Sequence, residues 1–175
     1  MKEWDAGDLS TYTGFAHHQS PGSVKQMLES GQDPNVRVDL AMVQSRPLIL
    51  ACQGADRYSM EVARMLLEAG ADINAKDSEG VTALHKVAIQ HYPGHFLREE
   101  QLAAARWLIE NGAIVNTMTK SFSSPLHCAA WDGADELVDL LLAAGADPTI
   151  EDAAGETPKD GAIRRGHPGT AEKLG

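Results

Sequence analysis

The fold predicted by this sequence is an all-α solenoid of stacked helix-turn-helix units, and three observations predict it. Four similar phrases recur: Glu29-Ser30-Gly31-Gln32-Asp33-Pro34-Asn35, Glu68-Ala69-Gly70-Ala71-Asp72-Ile73-Asn74, Glu110-Asn111-Gly112-Ala113-Ile114-Val115-Asn116 and Ala143-Ala144-Gly145-Ala146-Asp147-Pro148-Thr149. A second series alternates with them: Arg46-Pro47-Leu48-Ile49-Leu50-Ala51, Thr82-Ala83-Leu84-His85-Lys86-Val87, Ser124-Pro125-Leu126-His127-Cys128-Ala129 and Thr157-Pro158-Lys159-Asp160-Gly161-Ala162. The two series keep step, with 13 residues from Gly70 to Ala83, from Gly112 to Pro125 and from Gly145 to Pro158. Self-similarity at a fixed period is the mark of an architecture in which each unit buries its apolar face on its neighbours.

The two series resemble the T-P-L-H-x-A and G-A-D-x-N signatures of ankyrin repeats, whose period is 33 residues. The resemblance covers nearly the whole chain and implies helix pairs joined by β-hairpin-like loops. It divides the chain into a degenerate N-terminal capping repeat at 1–36, a second repeat at 37–75, a third at 76–117, a fourth at 118–150 and a C-terminal cap at 151–175.

Taken in order, the elements have local reasons. Ser20-Pro21 can cap and start a helix carrying Val24 to Ser30, whereas residues 9–17 hold no motif and read as a degenerate first helix. Proline in a first helical turn loses no needed hydrogen bond, and glycine just past a helix end can take the left-handed cap. The second helices carry one apolar stripe each: Val24, Met27 and Leu28; Val62, Met65 and Leu66; Ala104, Trp107 and Leu108; Leu137, Leu140 and Leu141. Asp135 and Glu136 open the last of these, where the helix dipole favours carboxylates. Lys159 and Asp160 then stand where Leu and His are expected, the polar substitution an exposed last repeat requires. Gly175 cuts that last helix short, as a truncation would.

The spacing departs from the period at three places. Pro125 to Gly145 is 20 residues, but Pro47 to Gly70 is 23 and Ala83 to Gly112 is 29, so neighbouring repeats carry insertions of 3 and 9. Gly31 to Pro47 is 16, another 3 residues too long. The first two insertions are expected in helix-to-helix loops, around Gly54 to Ser59 and His91 to Glu100.

Composition narrows the function. With 25 Asp and Glu against 15 Lys and Arg, the net charge of −10 argues against a nucleic-acid groove or a polybasic membrane anchor. Cys52 and Cys128 are too few for a disulfide framework, which suits a reducing, cytoplasmic setting, and both are expected as buried packing. There is no apolar leader and no run long enough to span a membrane. His85 and His127 follow Thr82 and Ser124 by three residues, so a hydroxyl–imidazole bond at the helix start is expected; Arg46 and Ile49 replace both partners together. His91 and His95 lie four apart, but Pro93 and Gly94 between them argue for a loop. No phosphate loop, dinucleotide fingerprint or nucleophile motif is present, so the chain reads as neither an enzyme nor a cofactor binder.

Function is therefore expected on the surface. The resemblance implies a protein-binding module whose partner meets the hairpin tips and the concave face of the first helices. Those positions are Lys76, Ser78, Glu79, Val81, Lys86 and Gln90 in the third repeat, and Met118, Lys120, Ser121, Ser123, Trp131 and Asp132 in the fourth. Trp131 is expected exposed, as an anchor. Arg57, Tyr58, Tyr92, His95, Phe96 and Arg98, from the two inserted loops, are expected to form a second surface or a site of weak self-association. A partner with a basic surface suits the charge. The alternative is a dedicated inhibitor or immunity-type protein that covers an enzyme's active site.

Overall fold

The computed structural model describes residues 21–40, 43–54, 57–89 and 98–175. They form α1 (Pro21–Glu29), the hairpin strands β1 (Val38–Leu40) and β2 (Val43–Ser45), then α2 (Pro47–Gly54), α3 (Arg57–Glu68), α4 (Ala83–Ala88), α5 (Arg98–Glu110), α6 (Pro125–Trp131), α7 (Asp135–Ala143), α8 (Pro158–Arg164) and α9 (Pro168–Lys173).

Each glycine-centred phrase closes a helix. Gly70 takes φ +94 and donates to the Leu67 carbonyl at 3.0 Å, while the Ala71 amide reaches the Leu66 carbonyl at 2.9 Å. This paired closure satisfies carbonyls that the helix leaves open, and only glycine adopts that φ without a side-chain penalty. The same two bonds recur at Gly145 and Ala146. Ala71 and Ala146 are buried, which explains why a small apolar residue follows the glycine.

The asparagine four positions after that glycine ties one repeat to the next. Asn35 donates from Nδ2 to the Gly70 carbonyl at 2.9 Å and accepts at Oδ1 from the Asp72 amide at 2.7 Å. Asn74 does the same to Gly112 and Ile114, and Asn116 to Gly145 and Asp147. At Thr149 the ladder stops, because its hydroxyl turns back to Asp147 Oδ1 at 2.7 Å. An amide presents a donor and an acceptor on one planar group, which a threonine cannot. Asn74→Ala is expected to cost about 1–2 kcal/mol, since two inter-repeat bonds are lost but their partners stay near water; denaturant unfolding measures it, and no loss would mean the bridge contributes nothing.

The helices lie in two layers. In one, α2 packs on α4, α4 on α6 and α6 on α8; in the other, α1 packs on α3, α5 on α7 and α7 on α9, with each repeat's own two helices also in contact. The Leu of the repeated phrase forms the spine of the core, at Leu48, Leu84 and Leu126, each at most 2% exposed. The stripe residues Val24, Val62, Leu66, Ala104, Leu108, Leu137 and Leu141 bury with it, and Trp107 packs against it partly covered. Burying one such leucine contributes roughly 1.5–3 kcal/mol.

The insertions went partly into regular structure. The extra residues between Gly31 and Pro47 extend a hairpin into a paired ladder, Val38 opposite Ser45, Asp39 opposite Gln44 and Leu40 opposite Val43. The helix α3 has 12 residues against 9 in α7, so three inserted residues lengthened the helix rather than its loop. Arg57, Tyr58 and Ser59 therefore belong to α3, and Arg98, Glu99 and Glu100 to the first turn of α5. The physical reason lies in the residues themselves: Glu99 and Glu100 suit a helix N-terminus, and Met60 and Leu102, which directly follow the added turns, pack onto the core. Gln101 is buried and donates from Nε2 to the Val87 carbonyl at 2.5 Å, closing the end of the short α4.

Candidate functional site

The histidines of the repeated phrase hold the stack together. Thr82 precedes α4 in extended conformation, and its hydroxyl lies 2.8 Å from His85 Nδ1. The other ring nitrogen, Nε2, lies 3.1 Å from the Ser123 carbonyl in the next repeat. A carbonyl only accepts, so Nε2 carries the proton and Nδ1 accepts from the hydroxyl. His127 repeats the arrangement with Ser124 at 2.9 Å and the Glu156 carbonyl at 3.1 Å. Burial pushes His85 down to about 4, against the opposing pull of the Ser123 carbonyl; burial likewise lowers His127. Both rings are neutral links at neutral pH, enclosed on all sides.

Asp160 takes this place in the last repeat, accepting from the Thr157 amide at 3.0 Å and hydroxyl at 2.6 Å. Those bonds from Thr157 hold its carboxyl below the usual range. With no N–H it cannot donate onward to a carbonyl. In the second repeat, Arg46 Nη1 instead reaches the Asn35 carbonyl at 2.7 Å. Cys52 and Cys128 are buried free thiols that desolvation pushes up to about 12, so neither supplies a thiolate.

The hairpins are built on one residue each. Asp77 Oδ1 accepts from the Glu79 and Val81 amides at 2.8 and 2.9 Å, and Asp152 Oδ1 from those of Ala154 and Glu156 at 2.8 and 3.1 Å. Thr119 does this work between them, its hydroxyl accepting from the Ser123 amide at 3.2 Å. Successive tips are joined by backbone bonds, Ser78 to Gln44 at 2.8 Å, Lys120 to Glu79 at 2.9 Å and Ala153 to Ser121 at 3.0 Å. The row of tips is thus one continuous edge.

Along that edge Lys76, Glu79, Lys120 and Ser121 are exposed, and Ser78, Val81, Lys86, Met118 and Asp132 are half-covered. Ser123 is different from the expectation: it is buried, because its carbonyl is the acceptor for His85. Trp131 also departs from it. The indole is half-buried, edge-on to His127 at 5.8 Å between ring centres, with the Arg165 guanidinium 5.6 Å over it. A Cβ at position 161 would overlap its Nε1 and Cδ1, so the ring sits where Gly161 leaves room. Gln90 lies outside the described residues.

The residue that sequence reasoning passed over is Phe122. It holds φ +58 and is 56% exposed at the tip of the fourth repeat's hairpin. Gly80 and Gly155 fill the equivalent positions at φ +80 and +76. Alignment of Asp77-Ser78-Glu79-Gly80 with Thr119-Lys120-Ser121-Phe122 and Asp152-Ala153-Ala154-Gly155 carries the signal: a phenyl ring stands where two neighbouring hairpins use glycine. A bulky side chain in the left-handed region costs about 1–2 kcal/mol.

Comparison with known proteins agrees with this geometry. A family profile described as ankyrin repeats (3 copies) matches residues 15–119, and a second, ankyrin repeats (many copies), matches residues 108–162. The chain belongs to the ankyrin repeat family. It is 35% identical over 117 residues to the ankyrin repeat and SOCS box protein 16 of Mus musculus, covering 66% of this chain and 24% of that one. It is 42% identical over 93 residues to the palmitoyltransferase Hip14 of Drosophila melanogaster, covering 53% of this chain and 13% of that one. With the nuclear factor NF-kappa-B p105 subunit of Mus musculus it shares 32% over 133 residues, 70% of this chain and 13% of that one. The chain thus spans a quarter or less of the length of these relatives.

Ankyrin repeats are non-catalytic protein-interaction modules. Among the described residues, no helix of this ankyrin domain is long and apolar enough to cross a membrane, and no group of three or more His, Cys, Asp or Glu is placed to hold a metal ion. His91 lies outside the described residues. Of the expected second surface, Tyr92, His95 and Phe96 lie outside them too, as do the side chains of Arg57 and Arg98. Tyr58 is 58% exposed near the start of α3.

Proposed function

We propose that this ankyrin domain binds a protein partner along its hairpin tips and the adjoining concave face. The observation that supports this most directly is Phe122. A strained backbone is retained where the surrounding structure or a function demands it, and an exposed aromatic ring on a rigid edge is the type of side chain that anchors interfaces. Glycine at this position would relieve the strain and remove a ring that is 56% exposed. The net charge of −10 favours a partner with a basic surface, through long-range steering.

The test uses the partner captured from a native lysate by the full chain and identified by mass spectrometry. Phe122→Gly is expected to raise stability by about 1 kcal/mol while weakening the complex at least tenfold. Opposite signs on the two measurements distinguish an anchor from a drifted turn residue. Wild-type affinity in the stabilised variant would remove Phe122 from the interface. Assay of the captured partner with and without the chain shows whether binding also inhibits it.

A further inference from the structure

We infer that the edge carries an oxyanion-binding notch that takes one anionic side chain, a carboxylate or a phosphate monoester, from an extended peptide. It lies where the second and third repeats meet. Arg37, Gln44, Arg46, Lys76, Asp77 and Ser78 line a depression of about 140 Å³. In a chain of net charge −10, three basic residues and one acidic residue line it.

That carboxylate is already engaged. Asp77 Oδ1 accepts two amides of its own turn. Arg37 is exposed and forms no ion pair among the described residues, and neither do Arg46 and Lys76. Asp39, which faces Gln44 across the β1–β2 ladder, is exposed and does not line the notch.

The donors are held by the fold with hydrogens to spare. Among the described residues Arg46 is held by one Nη1 bond to the Asn35 carbonyl, and a guanidinium carries four further N–H donors. Lys76 Nζ uses one hydrogen on the Met118 carbonyl at 3.2 Å. The Ser78 hydroxyl accepts from the Gln44 amide at 3.1 Å, so its own hydrogen can donate. Two arginines, a lysine and a serine lining a small concavity supply the charge and the donors that an oxyanion needs. The volume admits a single headgroup and not a nucleotide. A chain running along the row of tips would place one side chain in it. The notch therefore deepens the protein-binding reading and rests on it for the source of the anion. It sets register locally, while the overall charge governs approach.

The test is titration of the full chain, at constant ionic strength, with inorganic phosphate and with three synthetic Gly/Ser peptides carrying a single Glu, phosphoserine or Gln. Amide resonances in 1H–15N spectra are the readout. The expected result is saturable shifts centred on Arg37, Gln44 and Ser78 with phosphate and an anionic peptide, and none with the Gln peptide. Arg37→Gln combined with Lys76→Gln should weaken that binding at least tenfold while thermal unfolding is unchanged. Tighter binding of the phosphoserine peptide assigns the anion to a phosphate, tighter binding of the Glu peptide to a carboxylate. Absence of saturable shifts with both, an equal response to the Gln peptide, or wild-type binding by the double variant would overturn the notch. Partner binding that persists and still depends on Phe122 would then leave the module reading intact; loss of both would sink the two together.

Discussion

His85→Ala is expected to lower stability by about 3 kcal/mol, which in a domain of this size lowers Tm by roughly 6–12 °C. The imidazole is fully buried and satisfies two groups in different repeats, the Thr82 hydroxyl and the Ser123 carbonyl. Its removal leaves both without a partner and opens a cavity between α4 and the following hairpin. The same residue predicts a pH dependence with a definite sign. Its folded pKa is about 4, below the ordinary value of 6.5. The unfolded chain therefore takes up the proton first as pH falls. The contribution is fully present above about 6.5 and is lost progressively down to about 4, for a total of roughly 3 kcal/mol. Carboxylates titrate near the lower end of that window, so the decisive quantity is the wild type minus His85→Ala difference in unfolding free energy. It should shrink as pH drops from 7 to 4. A constant difference would show that the ring takes up its proton equally in the folded and unfolded chain, and a difference that grows as pH falls would show that the folded ring is protonated.

Gly161→Ala should cost about 2 kcal/mol, although alanine in a helix is normally better than glycine by about 1 kcal/mol. The added methyl meets Trp131 Nε1 and Cδ1, and the indole has little freedom to retreat between His127 and Arg165. Overpacking of this kind costs about 1–3 kcal/mol. In a Trp131→Ala background the same substitution should become stabilising by about 1 kcal/mol, because only the helix preference remains. That reversal, read from a double-mutant cycle of chemical denaturation, is the signature of direct contact. If Gly161→Ala costs the same in both backgrounds, the indole does not rest on Gly161.

Much of the fold was legible because its causes are local. A left-handed glycine, an alanine tucked behind it and a hydroxyl three residues before a histidine each need only a few neighbouring residues to form their bonds, so their recurrence announced the helix ends at Gly70 and Gly145 and the hydroxyl–imidazole bonds at His85 and His127. Apolar periodicity placed Val62, Leu66, Leu137 and Leu141 in the core for the same reason. The asparagines were visible as a repeated letter, yet their role was not, since Asn74 acts on Gly112 and Ile114 in the next unit.

What the tertiary structure alone decided involves partners a repeat or more apart in the chain. Trp131 was expected exposed from its own helix, but Gly161 in the following helix provides the space that covers it. Spacing counted the inserted residues correctly and could not tell whether they would enter a loop or extend α3 and α5, because helix ends are set by what the added turn can bury. Phe122 stands out through its backbone, which takes the conformation of Gly80 and Gly155. The notch gathers Arg37, Arg46 and Lys76 from two units whose chain separation conceals that they share one concavity. Local hydrogen bonds and periodicity are written in consecutive residues, whereas packing and electrostatics across stacked repeats depend on distances that exist only once the chain has folded.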